Sequence, residues 1–301
     1  MTTIKRVAIQ GGGGSNHEIA AKAFFNSEDI EMVPCQTFEE LFETLRKDNS
    51  IYGIMAIENT LVGSILQNYT LLKDSGLVVI GEYKLRIKHQ LLALPGQKIE
   101  DIKEVHSHPM ALAQCGDFLK QYPHIKKIAS DDTALSAKWI QDEKLEGMAA
   151  IAPELAAKKY SLEILARDIE TNKRNFTRFL IISDKAKTEV EDLLISNKVN
   201  KASLVFALPH SEGSLSKVLS ILAFYNINLT KIQSLPVVGQ EWEYLFYIDL
   251  VFEDYNRYLQ SLDAIRPLTK GLKNLGEYHV GKRSYDTVSN DNKSLEEQKT
   301  F

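Results

Sequence analysis

Cysteine is nearly absent from this chain. Cys35 and Cys115 are the only two in 301 residues, too few for a disulfide framework or a cysteine-rich zinc site, so a reducing, cytoplasmic compartment is expected. Long apolar runs are missing as well. None approaches the roughly 18 residues of a membrane-spanning helix, and the first seven residues lack the apolar core of a signal peptide. There is no surplus of positive charge either: 36 Lys and Arg against 40 Asp and Glu give a formal net charge of -4, which leaves no basic footprint for nucleic acid.

A nucleotide is also set aside. Gly11, Gly12, Gly13 and Gly14 follow the apolar "VAIQ", but Asn16 stands where a dinucleotide fingerprint needs its third glycine, and no Gly-Lys-Ser/Thr follows. Two readings of the glycine run stay open. One is a tight strand-to-helix turn capped by Ser15 or Asn16. The other is an anion-binding turn, whose backbone N–H groups and helix dipole face a ligand.

With 44% hydrophobic and 25% charged residues, the chain is expected to bury one large core or two separate ones. "TFEELFETLRKD" spaces Phe38, Leu41, Phe42 and Leu45 as one helical face behind a Thr37 cap. "IYGIMAI" reads as a buried strand. Helices and strands then alternate to "NFTRFLIIS", the pattern of an α/β fold with a parallel or mixed sheet, where ligands bind beyond the carboxyl ends of strands. Residues 185–200 are polar and charged, and serve as a linker between a first domain, 1–184, and a second, 201–281. The second domain reads βαββαβ, a ferredoxin-like order of about 80 residues. Residues 282–301 form a polar tail, disordered or loosely docked.

Four polar clusters stand at element junctions. Glu58, Asn59 and Thr60 end a buried strand, and Gly63 and Ser64 open the next helix. Ser107 and His108 precede a proline-started helix that carries Gln114, and Asp131, Asp132 and Thr133 begin another. Each of these could be helix capping alone. The fourth cluster differs. Arg174 and Arg178 flank Asn175 and Thr177 at the mouth of an apolar strand, where a guanidinium calls for a carboxylate or phosphate, from a ligand or from a salt bridge.

In order and spacing, "ENTLVGS", "SHPMALAQC", "DDTA" and "NFTRF" resemble the prephenate dehydratase family, whose usual wording is ENS..GS, SHPQAL.QC, DTA and N.TRF. The second domain resembles the ACT regulatory domain, with "GSL" at 213–215 and "LTKIQSLP" at 229–236. The resemblance covers residues 1 to about 281. It implies a two-lobed catalytic domain like a type II periplasmic binding protein, followed by the ACT domain. It also implies a lyase that turns prephenate into phenylpyruvate for phenylalanine biosynthesis. No cofactor or metal is implied, since aromatisation drives the loss of water and carbon dioxide.

The resemblance assigns catalysis to Thr177, Arg178, Asn175 and Phe179. Thr177 would polarise the departing hydroxyl, within a relay or a preorganised site, and Arg178 would fork one carboxylate. Gly14, Ser15, Asn59, Thr60, Gly63, Ser64, Ser107, Gln114, Asp132 and Thr133 would bind substrate, with the helix starts at Gly14/Ser15 and Gly63/Ser64 holding carboxylate oxygens. The departing carboxylate is expected to be the less solvated of the two.

A phenylalanine effector site would draw on Gly213, Ser214, Leu215, Asn226, Asn228, Gln233, Ser234, Leu235 and Pro236. Pairing of ACT domains implies a homodimer or homotetramer. Two departures stand out: "GGGGSNHE" where the family usually reads GP.GTFSH, and "QSLP" where it commonly reads ESRP. The length leaves no room for an added chorismate mutase domain, so a monofunctional chain is expected. Arogenate, the amino analogue, is an alternative substrate. A non-catalytic small-molecule sensor is the alternative from another class, against which the intact Thr177–Arg178–Phe179 run weighs.

Overall fold

A computed structural model describes residues 4–27, 29–184, 199–237, 239 and 243–284. The first half of the first lobe is built from β1 (Lys5–Gln10), α1 (Asn16–Phe25), β2 (Ile30–Cys35), α2 (Phe38–Lys47), β3 (Tyr52–Asn59), the short β4 (Gly63–Ser64), α3 (Leu66–Ser75) and β5 (Val78–Arg86). The second lobe holds β6 (Gln90–Ala93), β7 (Glu104–Ser107), α4 (Pro109–Gln114), α5 (Gly116–Lys120), β8 (Lys126–Ala129), α6 (Thr133–Asp142), β9 (Met148–Ala152), α7 (Glu154–Lys159) and β10 (Glu163–Ala166). The chain then returns to the first lobe as β11 (Phe176–Ser183).

The first sheet runs β2-β1-β3-β11-β5, with β4 hydrogen-bonded to β3; the second runs β10-β6-β9-β7-β8. Both are mixed. β11 is antiparallel to both of its neighbours, because it re-enters the first lobe from the second. The two crossing segments, 87–89 and 167–175, hold each other: the Ile87 amide donates to the Asn175 carbonyl at 2.7 Å, and the Ile169 amide to the His89 carbonyl at 2.9 Å.

β12 (Lys201–Ala207), α8 (Ser214–Phe224), β13 (Asn228–Pro236), β14 (Tyr244–Val251), α9 (Tyr255–Ile265) and β15 (Lys270–Tyr278) make the C-terminal sheet, ordered β13-β14-β12-β15 and antiparallel throughout. One face is covered by α8 and α9 through Phe206, Val218, Leu250 and Tyr258. The other face puts Val205, Tyr247, Leu275 and Tyr278 into one apolar cluster with Leu45, Leu72, Leu180 and Ile182 of the first lobe. The first sheet is thus buried on both sides, its other face lying under α1 through Ile9, Ala21, Phe179 and Ile181.

Alternation along β11 follows from that arrangement. Phe179 and Ile181 lie on the α1 side and Leu180 and Ile182 on the C-terminal side, so each of these four has a core to enter. The linker expected at 185–200 falls almost wholly outside the described residues. Of the tail, 282–284 dock along the edge of β5, with the Lys84 amide donating to the Lys282 carbonyl at 3.1 Å and the Ser284 amide to the Lys84 carbonyl at 2.9 Å.

Candidate active site

A cleft of about 440 Å³ opens between the two lobes. Three ten-residue helices begin at its wall: α1 with Ser15 and His17, α2 with Thr37 and Phe38, and α6 with Asp132 and Thr133. Each presents the positive end of its dipole to the cavity. Among the described lining residues there is no lysine or arginine, and the charged side chains are Asp131 and Asp132.

A chain of amides crosses the floor. Asn59 and Thr177 are opposite each other in the β3–β11 register. The Asn59 Oδ1 accepts from the Leu61 and Val62 amides at 2.9 and 3.1 Å. That fixes its Nδ2 as donor to Thr177 Oγ1 at 2.9 Å and to Asn175 Oδ1 at 2.7 Å. Asn175 is fully buried. Its Nδ2 donates to Gln114 Oε1 at 2.9 Å, which also meets His89 Nε2 at 2.9 Å. Since Thr177 accepts from Asn59, its own hydroxyl hydrogen is left to donate into the cleft. Phe179, next on the same face, is buried beside it.

His17 is a lining residue that the sequence reading passed over. Its ring meets Phe179 edge-on at 5.0 Å. Burial pushes its pKa down to about 4, and its Nε2 has no hydrogen-bond partner among the described residues. The quoted family turn gives no direct signal for it, since in register with "GGGGSNHE" its histidine falls on Glu18 and His17 stands at its serine. Burial also raises the Asp132 carboxyl, against the pull of the Leu135, Ala134 and Gly12 amides; its side chain caps α6 by accepting from Leu135 at 2.7 Å.

The glycine run answers to both open readings in an unexpected way. Ser15 caps α1. The anion at the turn is the protein's own: Gly14 N–H donates to Glu18 Oε2 at 2.7 Å, and Lys159 of the second lobe reaches the same oxygen at 3.1 Å. Burial works to raise the Glu18 carboxyl, but these partners hold it below the usual range. Gly14 is therefore not free to take a substrate carboxylate as expected. What requires glycine is close approach across the cleft. Gly14 has φ +85°, and a Cβ there would lie 2.8 Å from Ala156 Cα; one on Gly11 would lie 2.4 Å from Asp132 Oδ2.

Arg178 is the largest correction. Adjacent strand residues point to opposite faces, so Arg178 leaves β11 away from Thr177 and ends beneath the C-terminal sheet. Its Nε donates to Glu82 at 2.6 Å, its Nη2 to the Tyr278 hydroxyl at 3.0 Å, and its Nη1 to Asp249 and, at 3.3 Å, to Glu58. Lys201 pairs with Glu82 at 2.7 Å. Burial alone would raise the Glu82 carboxyl, but Arg178 and Lys201 hold it down to about 2. The guanidinium expected to fork a substrate carboxylate already forks the protein's own.

Other expected binders divide similarly. Thr60, Gly63 and Ser64 line a second cavity, of about 530 Å³, on the Arg178 side, and among the described residues only Asn59 borders both. Gly63 and Ser64 form β4 instead of opening a helix, since α3 starts at Leu66. The Thr60 hydroxyl donates to the Arg174 carbonyl at 2.9 Å and accepts from the Phe176 amide at 2.9 Å, stapling β3 to β11. Ser107 is fully buried and donates to the Ile151 carbonyl at 2.6 Å.

Residues 7–187 match the family model described as prephenate dehydratase. The chain belongs to the prephenate dehydratase family. Within this family of lyases, it is 39% identical over 286 residues to arogenate dehydratase/prephenate dehydratase 2 of Arabidopsis thaliana, covering 91% of this chain and 73% of that one. Among solved structures it is similar to GqqA, described as a novel type of quorum quenching acylase (TM-score 0.80, 26% identity, 92% of this chain and 98% of that one). It also shares its fold with the prephenate dehydratase of Arthrobacter aurescens in complex with L-Phe (TM-score 0.76, 24% identity, 91% and 90%).

The prephenate dehydratase match contains the whole cleft network, from Asn59 to Thr177. In the C-terminal sheet, Ser214 borders a cavity of about 430 Å³ with Leu208, Pro209 and Tyr244. Gly213 caps α8 there, Leu215 packs in the domain core, and Gln233, Ser234, Leu235 and Pro236 end β13 in register with Tyr247 to Tyr244. Asn226 and Asn228 follow the far end of α8, about 16 Å along an eleven-residue helix. One chain does not bring all of the expected effector residues together.

Proposed function

We propose that this lyase removes water and carbon dioxide together from prephenate to give phenylpyruvate, in aromatic amino acid biosynthesis. The carrying observation is the Asn59–Thr177 hydrogen bond, which leaves the Thr177 hydroxyl hydrogen for a leaving hydroxyl. In the reaction the C–O bond to the hydroxyl breaks as the electron pair of the C–carboxylate bond enters the ring. One proton is taken up, and water, carbon dioxide and the aromatic product leave. Thr177 stabilises the oxygen as it gains charge, and the starts of α1, α2 and α6 favour the anionic substrate. Acyl transfer fits less well, since Thr177 is paired with an amide and not with a base that could activate it as a nucleophile.

Arogenate is the second reading. The described cleft lining has two aspartates and no lysine or arginine, a charge pattern that accepts a substrate ammonium group. The two lobes are read as type II periplasmic-binding-protein-like, and the C-terminal sheet as an ACT domain in a homodimer or homotetramer. The L-Phe in the Arthrobacter aurescens complex supports a phenylalanine effector here. The two free, buried thiols, Cys35 and Cys115, are consistent with a reducing, cytoplasmic location.

The test measures phenylpyruvate from prephenate and phenylalanine from arogenate, with wild type, Thr177→Ala and a blank, each prephenate assay with and without phenylalanine. Turnover lost in Thr177→Ala is expected, and the ratio of kcat/KM values names the substrate. A wild type equal to the blank that still binds prephenate overturns the enzyme in favour of a sensor.

A further inference from the structure

The hairpin that carries Asn59 is held from the C-terminal sheet. β3 and β4 pair Glu58 with Ser64 and Asn59 with Gly63. Lys231, in β13, reaches across the domain boundary with its Nζ on both members of the first pair, Glu58 Oε2 and, at 3.0 Å, Ser64 Oγ. Its side chain is 13% exposed and its Nζ lies 5.6 Å from the centre of the Tyr69 ring. The other oxygen of Glu58 is the one that meets Arg178. Glu58 is thus fixed between a cation of the C-terminal sheet and a cation of the catalytic strand, one residue from the Asn59 that orients Thr177.

We propose that Lys231 is a positioning residue for the Asn59–Thr177 pair, clamping the β3–β4 hairpin from the C-terminal domain. The geometry leaves little slack. Glu58 and Arg178 are opposed in register, as are Asn59 and Thr177, so a shift of the hairpin at Glu58 moves the Asn59 amide relative to the Thr177 hydroxyl. Small misplacements of catalytic groups lower rate steeply. Because β13 also carries Gln233 to Pro236, the clamp gives that strand a direct hold on the catalytic floor.

The proposal rests on the dehydratase reading for its kinetic arm alone. Lys231→Met, Lys231→Arg and the milder Ser64→Ala are compared in the full chain by kcat and KM on prephenate and arogenate. The Thr177 methyl signal is followed in threonine-labelled protein, assigned with Thr177→Ser. Lys231→Met is expected to lower kcat about tenfold with KM changed less than about twofold, to shift the Thr177 methyl signal, and to add no further loss on Thr177→Ala. Lys231→Arg is expected to recover most of the rate, and Ser64→Ala to give a smaller loss with the same methyl shift direction. Unchanged kcat with an unmoved methyl signal, in variants that only melt earlier, overturns the clamp. If wild type turns over neither substrate the dehydratase reading fails, and the methyl signal still decides the clamp.

Discussion

Thr177 and Arg178 are consecutive in β11, yet their side chains serve opposite faces of the sheet: one lines the interlobe cleft and the other is buried against Glu82, Asp249 and Glu58. Their substitutions therefore separate. Thr177→Ala is expected to lower kcat by about 10² to 10⁴ with an unchanged melting temperature. Arg178→Met strands buried carboxylates and is expected to cost about 3–5 kcal/mol of stability, while the folded fraction keeps its KM. Urea unfolding alongside steady-state kinetics checks both, and a large rise in KM in a stable Arg178 variant contradicts the assignment.

Asn59→Asp tests the direction of the floor hydrogen bond. Aspartate keeps the acceptor for the Leu61 and Val62 amides but cannot donate to Thr177. The threonine hydroxyl then turns toward the carboxylate and away from the cleft. A fall in kcat of about 10²-fold is expected, with a loss of about 1–3 kcal/mol because the buried Asn175 Oδ1 loses its donor as well, and retained activity in the folded variant shows that the Thr177 hydrogen does not act on the leaving group.

Gly14→Ala meets both a left-handed backbone and the Ala156 backbone. A loss of about 1–3 kcal/mol is expected, together with a higher KM, because the turn can relieve the contact only by moving the lobes apart. Thermal melting and small-angle scattering read the two effects. A variant with native melting and native dimensions shows that the lobes do not close this tightly in solution.

Acid should weaken the domain joint through Glu82. Its folded pKa of about 2 lies below the unfolded carboxyl, near 4.3. The native state thus binds fewer protons, and the stabilisation is complete above the unfolded value and lost as pH falls through that window. The contribution is on the order of 3 kcal/mol. Glu82→Gln is expected to be less stable than wild type at pH 7 and to show a flatter decline between about pH 4.5 and pH 2, measured as the urea midpoint against pH. Parallel curves for the two proteins refute the role.

Much of this was legible in the chain. The apolar periodicity gave the principal helices and strands, including α2 with its Thr37 cap and the βαββαβ order of the C-terminal segment. Thr177, Asn59, Asn175 and Gln114, which join in one hydrogen-bonded floor, all stand in the motifs that carry the family resemblance. Period-two alternation would also have barred Thr177 and Arg178 from one cavity, once "NFTRF" was read as a strand. Partners distant in sequence were not legible. Nothing local to Arg178 says that Asp249, 71 residues on, would meet it, nor that Lys159 would share Glu18 with Gly14.

Motifs and local periodicity carry the family and the residue types at the floor of the cleft, because those need no partner distant in the chain. Tertiary structure decided which charges neutralise one another. The first sheet is covered on one side by α1 and on the other by α2, α3 and the C-terminal sheet. A buried guanidinium must find carboxylates on the face to which its strand turns it, and on that face they belong to the protein.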